Sequence, residues 1–240
     1  MGGGVERSRT ISAACGAAFL LAAWSAGPSQ AQPVQAPYVR MAEIERYLTD
    51  RSAEVALARS AAPASVSGDA AVLVLGRRGY ETAAPGKNGF TCLVERAWGA
   101  DFDDPEFWNP KIRGPVCFNA AATRSVLPSY RKRTEWVLAG ASKADLLRRT
   151  RVAVAAKEIL APEVGAMCYM MSKDGYLGDK AGGHWHPHLM FFLPRLAQAA
   201  WGSGSQGSPV FGGPLLVEPT SVFLVPVPAW SDGSPAPMLH

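Results

Sequence analysis

The chain has 240 residues, 48% of them hydrophobic and 18% charged, with 24 Gly and 19 Pro. That apolar content excludes wholesale disorder, and no run reaches the roughly 18 apolar residues of a membrane span, which excludes a polytopic membrane protein. The formal net charge of +4 is too small to mark a nucleic-acid binder.

Residues 1–31 read as a secretory signal peptide. Arg7 and Arg9 open it, an apolar run from Ile11 to Trp24 follows, and Ser29 and Ala31 are small residues where a signal peptidase reads them. The run is broken by Ser12, Cys15 and Gly16 and is short for an anchor. Cleavage removes Glu6, Arg7 and Arg9, leaving 22 basic and 19 acidic residues and a net charge of +3. The expected protein is exported, periplasmic or extracellular, with no transmembrane span after cleavage. Three cysteines stay with it. In an oxidising compartment the simplest arrangement is one disulfide and one free thiol. Cys92 and Cys117, in short apolar runs flanking an irregular stretch, are the preferred pair, leaving Cys168.

Residues 32–37 read as an extended leader. Met41, Ile44, Leu48 and Val55 recur at helical spacings, so one amphipathic helix is expected from Val39 to about Arg59, stopped by Pro63. Ala70–Leu75 and Gly89–Glu95 read as two strands of an antiparallel hairpin with a long connection. Residues 98–115 form a Pro-rich acidic loop pinned by its aromatics. Residues 119–140 and 143–160 read as helices, the second opened by the capping-box pair Ser142 and Asp145 and ended by Pro162. Strands are expected at 165–172, 185–193 and 221–227, with a Gly/Ser/Pro-rich loop over 202–214. These elements predict one α+β domain over residues 38–232, an antiparallel sheet covered on one face by about three helices, with a flexible tail at 233–240. A β-barrel-like fold with appended helices is the alternative.

Chemistry concentrates in His184, His186 and His188. On an extended chain alternate residues share a face, so an edge strand with Pro187 would present three imidazoles together. Imidazole ligates zinc and also suits copper and iron, which makes a divalent transition metal the cofactor to expect. Asp174, Asp179 and Glu218 are the carboxylates that could complete such a site. The sulfur-rich run Met167, Cys168, Met170, Met171 could approach the histidines if the two strands pair, although Cys168 and Met170 would face one side and Met167 and Met171 the other. The spacing of Gly178, His184 and His186 resembles the opening of the first cupin motif. The carboxylate that should follow is absent from Leu189–Phe192, so no family is assigned. Between Lys111 and Lys157, 11 basic residues face only Glu135 and Asp145. Arg131, Arg133, Arg148 and Arg149 among them could recruit a small or anionic ligand. No G-x-S-x-G, H-E-x-x-H, P-loop or C-x-x-C occurs. The expected function is a ligand- or metal-binding domain centred on the three histidines. The alternative is a metal-dependent hydrolase or oxygenase using the same residues.

Overall fold

A computed structural model describes, apart from Met1, residues 38–179 and 185–237. The expected signal peptide and leader, His184 and residues 238–240 lie outside the described residues. The described residues from 38 onward cluster as one compact unit. Among the described residues no helix is long and apolar enough to cross a membrane.

The first helical stretch is shorter than its periodicity implies. A single 3-10 turn, Ile44–Arg46, precedes α1, Arg51–Arg59. Asp50 divides them: its carboxylate accepts from the backbone N–H of Ser52 and Ala53, which caps α1 and stops any helix arriving from upstream. Tyr47 fixes the intervening chain, its hydroxyl donating to the Trp108 carbonyl at 2.8 Å. α2 is one turn, Ala64–Ser67.

The expected hairpin of residues 70–75 with 89–95 is corrected. β1 (Ala71–Gly76) turns at Arg77-Arg78 into β2 (Gly79–Ala84), its antiparallel partner. β2 reverses the chain, so β3 (Thr91–Glu95) returns parallel to β1, with Ala71 opposite Thr91. β4 (Gly114–Phe118) then pairs antiparallel to β3 and sets Cys92 opposite Cys117. Those two cysteines form the disulfide expected of them, and Cys168 is a buried free thiol.

The helical middle is three helices: α3 (Ala120–Ser125), α4 (Leu127–Leu138) and α5 (Lys143–Ala155). Pro128, near the start of α4, cannot continue α3, which explains the break at Val126. Ser142 and Asp145 form the reciprocal capping box. β5 (Met167–Met170) and β6 (His188–Pro194) pair antiparallel, with Cys168 opposite Met190 and Met170 opposite His188. β7 (Phe211–Pro214), inside the stretch read as a loop, pairs with β8 (Thr220–Pro226). Residues 233–236 turn back on 228–230, Ala236 N–H donating to the Pro228 carbonyl.

The eight strands form one open sheet in the order β2-β1-β3-β4-β5-β6-β8-β7, mixed because of the β1/β3 pair. The class is α+β, and the sheet does not close into a barrel. Helices cover both faces, not one. Val72, Cys92, Val94 and Cys117 pack with α1 residues on one side. Leu73, Leu93, Phe118, Cys168, Met190 and Phe192 face α3–α5 and the buried Trp98 on the other. The second face holds the site.

A candidate ligand cavity

On the α4 side of the sheet the two layers part around a cavity of about 590 Å³. That volume is typical of small-molecule sites. Its apolar wall includes Met170, Met190, Phe192 and Leu224, alternate residues of β5, β6 and β8 that share the inner face. Its polar groups include Glu95, Tyr130, Arg133, His188 and Glu218.

Glu95 ends β3 in the same phase as Leu93, so its side chain points to the α4 face. The turn at Ala97–Gly99 closes over it. A Cβ added at Gly99 would lie 3.4 Å from both Glu95 Oε2 and Tyr130 Cε1, which leaves little space for a side chain there. The exposed area of Glu95 opens into the cavity, while Oε1 is sealed and has no hydrogen-bond partner among the described residues. Burial pushes its carboxyl up to about 8, partly offset by the Tyr130 hydroxyl and the Arg133 charge. Glu95 is therefore largely a neutral acid at pH 7. Burial also raises the Tyr130 phenol well above its usual value, so that hydroxyl stays protonated.

Tyr130 and Arg133 are three residues apart on α4 and so share its inward face. Arg133 donates to the carbonyls of Trp98 (3.1 Å) and Ala100 (2.8 Å), and its guanidinium lies 4.5 Å over the Phe102 ring. Both bonds come from Nη1, while Nη2 is ion-paired with Glu218 Oε1. Arg133, expected from the sequence as a cation that could recruit an anionic ligand, is thus a buried clamp. Glu218 is 5% exposed, and its second oxygen, Oε2, has no partner among the described residues.

His188 lines the opposite wall. Its Nδ1 lies 2.8 Å from the His186 carbonyl, and because a carbonyl only accepts, Nδ1 carries the proton and Nε2 is left as an acceptor. Burial lowers its pKa, so the ring is neutral at pH 7. The Trp185 ring stands edge-on to it at 5.2 Å. Trp185 in turn requires Gly175, where a Cβ would come within 2.9 Å of the indole.

The expectation that three histidines share the face of an edge strand is corrected. β6 begins only at His188, after Pro187, and it is interior, paired with β5 and β8. His186 precedes the strand and is half-buried outside the cavity lining, and His184 lies outside the described residues. Among the described residues no three His, Cys, Asp or Glu converge as metal ligands. Asp174 is exposed in a turn, its backbone N–H donating to Ser172 Oγ. Asp179 is engaged on the surface by Lys111 (2.8 Å), Tyr38 (2.5 Å) and Tyr176. Of the six expected ligands, His188 and Glu218 share the cavity. Cys168 and Met170 point to this face as strand alternation requires, and burial pushes the Cys168 thiol up, away from the thiolate a metal would need.

Glu95 and Tyr130 carry no mark in the sequence reading. Alternation along residues 89–95 puts the apolar Phe90, Cys92 and Val94 on one face and Glu95 on the other. The one available signal was Leu93, an apolar residue on the Glu95 face. Comparison of the chain with protein-family models, curated proteins and solved structures finds no match, so the meaning of the site rests on its geometry.

Proposed function

We propose that the protein is an exported binding domain whose cavity takes a small amphipathic molecule. The apolar body lies against Met170, Met190, Phe192 and Leu224, and a head group bearing an O–H or N–H donor meets Glu95 and Glu218. One observation carries this reading: Glu95 Oε1 and Glu218 Oε2 are both buried, both unpartnered among the described residues, and both belong to residues lining one cavity. Neither oxygen is exposed to the cavity as the side chains stand, so a ligand donor would reach it through rotation of the carboxyl group and relieve a cost of about 1–3 kcal/mol for each buried unsatisfied atom. The disulfide and the lack of a membrane-spanning helix among the described residues fit export.

The test is titration of the purified protein with 1-decanol, followed by tryptophan fluorescence, since Trp98 lines the cavity. Saturable binding that disappears in Leu224→Trp or Met190→Trp, which fill the cavity, supports the proposal. Absence of saturation, or unchanged affinity in both filled variants, defeats it. Mass spectrometry of the solvent extract of untreated protein then identifies the natural occupant.

A second reading keeps the metal. His188 donates from Nδ1 to a backbone carbonyl and presents Nε2, as metal-ligating histidines do. With His184 and His186 it would hold zinc, copper or iron, for binding or for metal-dependent hydrolysis or oxygenation. Elemental analysis of tag-free protein, before and after incubation with each metal, decides it. No bound metal in either condition removes this reading.

A further inference from the structure

The cavity opens beside the chain that follows α5. Ile159 and Leu160 line it, yet Leu160 is 61% exposed and so stands at the mouth. Val152 on α5 is 62% exposed and Val164 is 96% exposed. Single exposed apolar residues are ordinary, but three within residues 152–164, one of them at a cavity mouth, offer a contact region. Basic residues alternate with them. Arg149, Arg151 and Lys157 are exposed and have no ion-pair partner among the described residues. The acids of the stretch are neutralised instead, Glu158 by Lys132 and Glu163 by Arg124.

The stretch is held in place. Lys157 adopts φ 58°, a left-handed conformation unusual for a residue with a side chain, and so reverses the chain at the end of α5. Glu163 N–H then donates to Ser125 Oγ at 3.0 Å, tying the returning segment to the α3 terminus at the cavity edge.

We infer that residues 148–164 dock the protein on a bilayer bearing anionic headgroups, with Val152, Leu160 and Val164 entering the interface and Arg149, Arg151 and Lys157 meeting the headgroups. Apolar residues flanked by unpaired Arg and Lys match a partner that is anionic above and hydrocarbon below. Docking in this orientation brings the cavity mouth to the membrane, where amphiphiles with one acyl chain reside. That consequence rests on the ligand-binding reading; the docking does not.

The test is co-flotation of the purified protein with vesicles of phosphatidylcholine alone and of phosphatidylcholine mixed with phosphatidylglycerol. Flotation is expected with the anionic vesicles, reversed by raising the salt to the point where surface charges are screened. Arg149→Glu with Arg151→Glu should weaken it by at least about 25-fold, from roughly fivefold per basic residue lost. Val152→Glu with Val164→Glu should abolish it. All four positions are exposed, so thermal unfolding should match wild type in both variants. Wild-type flotation no greater with phosphatidylglycerol, or undiminished flotation of either double variant, overturns the inference. Decanol titration without vesicles reads the cavity separately, so docking and ligand binding can fail independently.

Discussion

The sharpest consequence of the cavity is a pH-dependent stability that a single isosteric change should erase. Glu95 carries a folded pKa of about 8 because it is buried, against an ordinary carboxyl value of 4.5. Between those values the folded state holds a proton that the unfolded chain has released, so stability falls as pH rises through the window and levels off above the folded pKa. His188 has the opposite sign. Its pKa is lowered from 6.5, so it costs stability only as pH falls below that value. The buried Cys168 thiol has its pKa raised above 9.0, and the unfolded chain begins to release that proton only near that pH. The interval from pH 6.5 to 8.5 therefore isolates Glu95. At about 1.4 kcal/mol per pKa unit, the wild type should lose about 2 kcal/mol across it. With a urea m-value of about 2.5 kcal/mol/M, the unfolding midpoint should drop by roughly 0.8 M. Glu95→Gln keeps the shape and removes the charge, so its midpoint should stay level. Urea unfolding followed by circular dichroism at three pH values in the interval measures both. A flat wild-type profile, or the same slope in Glu95→Gln, refutes the assignment of Glu95 as a buried neutral acid.

Arg133→Met should destabilise by about 3–5 kcal/mol, because it strands the Glu218 carboxylate in the interior, and adding Glu218→Leu should recover most of the loss. Chemical denaturation of the two single variants and the double variant tests this as a cycle, and additive losses would count against a buried pair. Removing the disulfide by Cys92→Ala with Cys117→Ala should cost roughly 3.5 kcal/mol from loop entropy over the 25-residue separation, measured by unfolding with and without reductant. Asp50→Ala should cost about 1 kcal/mol through loss of the α1 cap, read as a lower unfolding midpoint with an unchanged m-value.

Features that depend on neighbouring residues were legible in the chain itself. The Ser142–Asp145 capping box works within a single turn, and the strands at β1, β3, β5 and β8 follow from runs that can only bury themselves in a sheet. The Cys92–Cys117 pairing was legible because few cysteines lie outside the expected signal peptide. The helix expected from Val39 failed for a local reason that was also present: Asp50 is a better cap than an interior helical residue, and the apolar spacing masked it.

What only the tertiary structure decided lies in long-range pairing and in the second covered face. Nothing in residues 70–95 says that β2 inserts and turns β3 parallel to β1, because the pairing energy comes from strands that meet only when folded. Glu95 reads as a wet residue until α4 covers that face of the sheet. Arg133 reads as a cation free to recruit an anion until Glu218, 85 positions later, meets it. The histidines show the same limit: period-two spacing places side chains on one face only where the chain is extended, and the strand begins at His188. Alternation and capping are short-range constraints that a sequence displays. Burial of a charge, and the cavity that makes it matter, arise from where distant segments pack, and they exist only in the folded chain.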